Sequence, residues 1–142
     1  MIMKSQTTAA RYDRQRGFTL VELVIVMAVL VVLAAIAIPR YNGILNESKV
    51  KSDAITAAGI VSAARIQETS TGNTVPITAG SYSGVSASYF ESGKKPSSGG
   101  IFDLSGGGNS SYVVKWTPNV GAYSEHEQTL TEGAVFVPNT TT

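Results

Sequence analysis

The chain has 142 residues, one histidine, no cysteine and a formal net charge of +1, which is room for one domain beside any targeting segment. The missing cysteine removes disulfides, thiol nucleophiles and cysteine-ligated zinc. Charge is unevenly placed: residues 1–17 hold Lys4, Arg11, Arg14 and Arg16 against Asp13, a balance of +3, and residues 18–142 carry a balance of −2. With no basic stripe or interleaved aromatics in the later part, nucleic acid is not an expected partner.

The first element is an apolar helix. Leu23 to Ile38 are sixteen consecutive apolar residues, and Phe18 to Ile38 make 21. As a helix the longer stretch spans about 31 Å, close to the ~30 Å of a bilayer core. A basic start before such a run keeps the first residues cytoplasmic and sends the rest outward. Two ordinary readings compete. One is a signal peptide cut after Ala35-Ile36-Ala37, although the run exceeds the usual ~7–15 apolar residues. The other is a plain single-span anchor.

Glu22, near the start of the run, has two readings as well. Thr19-Leu20-Val21-Glu22 is a [ST]-x-x-[DE] sequence, so Glu22 can complete a capping box and sit favourably against the helix dipole. A carboxylate buried among neighbouring helices would instead need a named partner. A cut between Gly17 and Phe18 supplies one, because the new α-amino group is cationic at neutral pH. On a neighbouring chain displaced along the axis, that amine can lie beside Glu22. A misregistered neighbour would then leave an unpaired charge in apolar surroundings.

Arg16-Gly17-Phe18-Thr19-Leu20-Val21-Glu22, followed by an apolar helix, resembles the class III signal of type IV prepilins and type II secretion pseudopilins, with a type IVa-like leader. The resemblance covers roughly residues 14–70. It implies recognition of the leader through Arg14 and Arg16 and cleavage between Gly17 and Phe18. N-methylation of Phe18 by a prepilin peptidase/N-methyltransferase would follow. It further implies that Glu22 neutralises a neighbour's N-terminus and that an inner-membrane assembly platform handles the subunit.

Pro39 cannot donate to the carbonyl of Ala35 and crowds that turn, so a bend is expected there, with a helix stop as the alternative. Helical spacing resumes beyond it. Ile44, Ile55 and Ile66 recur every eleven residues, and Val50, Ala54, Ala57, Val61 and Ala64 form a second stripe about 120° away. Lys49, Ser52, Asp53, Thr56 and Gln67 fill the polar arc, with Ile60 the exception, and Glu47 and Lys51 form an i,i+4 pair. Two apolar faces suggest two partners, the chain's own head and other subunits; one broad core face fits the periodicity equally well. The resemblance favours the first. Ser70-Thr71-Gly72-Asn73 ends the helix, with Gly72 as a left-handed cap.

The remainder reads as loops and strands. Asn73 to Ser88 is a Thr/Ser/Gly-rich connection. Ile101–Leu104 and Tyr112–Trp116 are expected strands separated by a long, loose turn over Ser105–Ser111, and Ala134–Val137 a third, stopped by Pro138. The expected fold is α+β: a long bent N-terminal helix, its first half transmembrane, packed on a small antiparallel β-sheet head. The segments are a leader at 1–17, a membrane or filament-core half-helix at 18–38, an extramembrane half-helix at 39–72, and a head at 73–142. The head is too small to be stable without the helix.

Catalysis finds no support. SGGGN lacks the following Lys-Ser/Thr of a phosphate loop, SGKKPSSGG lacks its spacing, and His126 sits between Glu125 and Glu127 in a loop. No cofactor or metal is expected, although Glu125, Glu127, Asp103 and Glu132 are oxygen donors that could form a weak cation site. Lys94-Lys95 reads as a charged turn. Asn46, Asn109 and Asn139 begin N-x-[ST] triplets, which arise by chance in Ser/Thr-rich chains.

The chain thus reads as a pilin, a structural subunit that self-associates into a helical filament by repeating one heterologous contact. The alternative is a pseudopilin of a type II secretion or DNA-uptake system, or a minor pilin; a third reading is an anchored or secreted binding module. As a precursor it sits in the cytoplasmic membrane among lipid with its head outside, and once assembled at the cell surface. Two features depart from the resembled family. Its common C-terminal cysteine pair is absent, so packing or hydrogen bonds must close that loop. Trp116-Thr117-Pro118-Asn119 only faintly echoes the segment before the calcium loop of major pseudopilins, which favours the pilin.

Overall fold

A computed structural model of the chain describes residues 17–140. Its elements are helix α1 (Leu20–Thr71), strands β1 (Asp103–Gly107) and β2 (Ser110–Trp116), a 3-10 turn (Gly121–Tyr123) and strand β3 (Gln128–Thr131). The fold is α+β, one long helix and a small antiparallel sheet in the order β1-β2-β3. The chain divides at Ala37/Ile38 into two compact units, and each is described by itself.

In the first unit, α1 begins after Thr19, and every side chain from Phe18 to Ala37 is exposed. The helix has enough length and apolar content to cross a membrane.

The second unit opens with the remainder of α1. The helix contains Pro39 and continues past it, so the proline does not end it. It stops at Thr71, where Gly72 takes φ 70 and its N–H donates to the Glu68 carbonyl at 2.9 Å. A left-handed residue is what such a cap requires, and glycine adopts it without strain.

The two helical stripes have different fates. Val50, Ala54, Ala57, Val61 and Ala64 are buried, joined by Ile60 and Ala63, against Phe102, Leu104, Tyr112, Val114, Trp116 and Leu130 of the sheet side. The small alanines leave room on the helix face that the aromatics of the sheet side fill. Ile44, Ile55 and Ile66 stay exposed. The single broad core face is therefore not what forms. Ile60, placed in the polar arc by spacing, is fully buried.

The hairpin corrects the sequence reading. Ser105–Ser111 is not a long loose turn: the strands run into it and leave only Gly108-Asn109 at the tip. Gly108 has φ 62, as expected of the first central residue of a two-residue hairpin turn. Ser105 faces Val113 and Gly107 faces Ser110, so Ser111 and Tyr112 together oppose Gly106 in a β-bulge. A Cβ on Gly106 would lie 2.1 Å from the Ser111 carbonyl oxygen, and its φ is 92. Composition hid this pairing because the glycines that look like loop are the ones a bulge needs.

The third strand is also elsewhere. β3 is Gln128–Thr131, paired antiparallel to β2 with Val114 opposite Leu130. Ala134–Val137 forms no strand; Val135 and Val137 are exposed, and Phe136 stacks on Trp116 at 5.4 Å. The true strand escaped notice because one of its two inward residues is a buried glutamine.

Candidate functional site

The candidate site lies at the start of the first unit. Thr19 and Glu22 cap α1 reciprocally. The Thr19 N–H and Oγ1–H donate to Glu22 Oε2 at 2.8 and 2.9 Å, and the Glu22 N–H returns a bond to Thr19 Oγ1 at 3.3 Å. This is the capping box that the spacing allowed. Only one carboxylate oxygen is used; among the described residues nothing donates to Oε1. Gly17 and Phe18 are both exposed, and nothing comes within 4 Å of a side-chain position at Gly17. Arg14 and Arg16 lie outside the described residues.

The arrangement combines an exposed Gly17-Phe18 pair, a carboxylate oxygen with spare acceptor capacity, and an uncovered apolar helix. None of these is catalytic machinery. Together they place a carboxylate at the head of a surface that avoids water.

Pro39 lies in the second unit, away from this constellation in sequence. The rest of that unit is held by polar staples that spacing alone did not reveal. Arg65 donates from Nε and Nη2 to both oxygens of Glu132, at 2.9 and 2.7 Å, and from Nη1 to Glu68 at 2.7 Å. It also reaches the carbonyls of Gly108 and Ser110 at the hairpin tip and lies over the Tyr112 ring at 4.9 Å. The Arg65 guanidinium, helped by the Tyr112 N–H, lowers the Glu132 carboxyl from 4.5 to about 2.

Asp53, assigned to the polar arc, is 3% exposed and takes the N–H groups of Ser97 and Ser98 at 2.6 and 2.8 Å, together with both hydroxyls. Gln67 pins the same connection by donating to the Gly84 carbonyl at 3.0 Å and accepting from the Ser86 N–H at 2.7 Å. Gln128 does for the C-terminal segment what a cysteine pair would. Its Nε2 donates to the Asn139 carbonyl at 2.7 Å, and its Oε1 accepts the Asn139 N–H at 2.8 Å.

The oxygen donors considered for a cation do not converge. Asp103 accepts from the Gly80 N–H, Glu127 pairs with Lys115 at 2.8 Å, and Glu132 is committed to Arg65. Among the described residues no three acidic or imidazole side chains form a metal-holding group. Lys94 lies 3.7 Å from Glu91 on the surface. His126 contributes its carbonyl, not its ring, to the Gln128 amide.

Comparison with known proteins bears on the first unit. Residues 12–38 match the family model described as the prokaryotic N-terminal methylation motif. A type IV major fimbrial protein, FimA, of Dichelobacter nodosus is 46% identical over 46 residues, 32% of this chain and 29% of that protein. A second FimA from that species is 56% identical over 36 residues, 25% of this chain and 23% of its own. Prepilin peptidase-dependent protein D of Escherichia coli strain K12 is 47% identical over 36 residues, 25% of each chain. The chain thus spans less than a third of the length of these relatives. No solved structure matches it.

Proposed function

We infer, from an N-terminal segment that is that of the type IV pilin family, that this chain is a structural subunit which polymerises into a surface filament. The observation that carries the reading is the uncovered apolar helix with Glu22 at its head, directly after the Gly17–Phe18 junction. A prepilin peptidase/N-methyltransferase cuts that junction, which lies within the matched motif, and methylates Phe18. The leader Arg14 and Arg16 present the junction on the cytoplasmic face of the membrane. The subunit then waits in the cytoplasmic membrane, head outside, until an assembly platform moves it into the filament.

Assembly follows from the chemistry of the two ends. Cleavage turns a neutral amide into an α-amino cation. Inside a bundle of apolar helices that cation is stable only beside an anion, and the neighbour's Glu22 offers an unused oxygen. Axial register is set because other staggers strand both charges. Pro39 adds a bend by removing one helical donor. The assembled form is an extracellular filament.

N-terminal sequencing with intact mass of the mature protein tests the processing. Methylated Phe18 is expected; Ile38 or uncut Met1 at the N-terminus contradicts it. Glu22→Gln tests the pairing, because glutamine keeps the capping box and loses the charge. It should abolish sheared filaments while the subunit still accumulates in the membrane. Normal filaments from that variant would remove the charge-pairing mechanism.

A further inference from the structure

The second unit contains an open hollow of about 520 Å³ between the first turns of its helix and the 3-10 turn. Arg40, Gly43, Ile44 and Glu47 stand on one face at i, i+3, i+4 and i+7, and Gly121 to Tyr123 close the opposite side. The turn is pressed onto the helix: a Cβ on Gly121 would sit 2.5 Å from the Asn46 amide nitrogen.

Two properties single out its occupant. The first is charge. Arg40 has no hydrogen-bond or ion-pair partner among the described residues, whereas Glu47, the acid on the rim, is neutralised by Lys51 at 2.6 Å. The hollow therefore offers one unpaired guanidinium, and the small Gly43, Gly121 and Ala122 leave room around it. The second is level. Arg40 and Tyr41 lie about 3 and 4.5 Å along the helix beyond Ile38, the last residue of the apolar run. The headgroup layer on each side of a bilayer is about 5–8 Å deep. Tyr41 is exposed there, where an amphipathic ring is at home.

We propose that this hollow holds the headgroup of a phospholipid, its phosphate on the Arg40 guanidinium, while the subunit waits in the membrane. The proposal rests on residues 18–38 spanning that membrane. A guanidinium meets a phosphodiester with two parallel N–H bonds, which a lysine cannot reproduce. The contact seats the 121–123 turn on the bilayer surface, fixes the depth of the head and is surrendered when the subunit leaves for the filament.

Because the chain has no cysteine, single labels report on it directly. The full processed chain is reconstituted in phosphatidylglycerol/phosphatidylcholine vesicles with a fluorophore on Ser124→Cys, an exposed position beside the turn and outside the hollow, and quenched by a headgroup nitroxide. A second preparation carries the label on Val29→Cys with an acyl-chain nitroxide. The label at 124 should be quenched in the otherwise native chain. Arg40→Gln should lower the docked-to-undocked ratio about fivefold, and Arg40→Lys should restore part of it. Equal quenching at 124 with and without Arg40, or none in either, overturns the headgroup contact. Shielding at 124 that grows with the protein-to-lipid ratio would put a second copy in the hollow and also overturn it. An unquenched label at 29 would instead remove the membrane span, a failure separable from that of the contact.

Discussion

The two units solve the same problem, keeping a backbone ordered, by opposite means. From Phe18 to Ala37 the chain relies on helical hydrogen bonds and one capping box, and all its apolar side chains are exposed. From Ile38 onward the chain buries its own apolar stripe beneath a sheet and fastens several of its segments with polar side chains, among them Asp53, Arg65, Gln67 and Gln128. The first unit is thus complete only in an apolar surrounding, lipid or other helices. The second buries a core of its own. The proposed function, a subunit that exchanges a membrane for a filament, would use this division, because the part that changes surroundings cannot also be the part that holds the fold.

Truncation gives the sharpest test of that contrast. A chain beginning at Ile38 should stay folded and monomeric without detergent, read by circular dichroism and gel filtration, while the full chain aggregates. Loss of the fold on truncation would show that the first unit supports the second.

Within the second unit, Asp53→Ala should have the largest effect. It strands the buried N–H and hydroxyl of Ser98 and the partly buried pair of Ser97, at about 3 kcal/mol by urea denaturation. Gln128→Ala should cost about 1–2 kcal/mol and raise hydrogen exchange in residues 133–140 ahead of the rest. Uniform exchange would mean that stacking on Trp116, rather than the amide, holds the segment.

Acid should have the smallest effect. The Glu132 carboxyl is more acidic folded than its ordinary 4.5, at about 2. The Arg65 pair therefore contributes fully above about pH 4.5 and is lost as pH falls toward 2. Because both partners are partly solvated, the loss should be about 1–2 kcal/mol. Thermal melts of Glu132→Gln should be flatter over that window than those of the parent chain.

Much of the first unit was legible because its signals are local. A capping box needs four residues and an apolar span needs a run, and neither depends on anything distant. The helix stop at Gly72 and the existence of an apolar stripe from Val50 to Ala64, though not its burial, were legible for the same reason. Signals in the second unit were misread wherever burial was decided across the chain. Asp53 looks like a solvated polar residue until Ser97 and Ser98 arrive from 44 and 45 residues away. Gln128 breaks the apolar alternation that would have marked β3, since its inward amide is satisfied by Asn139.

By itself, the order of residues determined the capped apolar helix, its continuation at helical spacing and the composition of a head that cannot use disulfides. Only tertiary structure decided which helical stripe is covered, that glycines form a bulge rather than a loop, and which polar side chains are buried. The physical reason is that helix capping and hydrophobic periodicity are near-neighbour properties. Desolvating a carboxylate or an amide depends on partners that only the folded chain brings together.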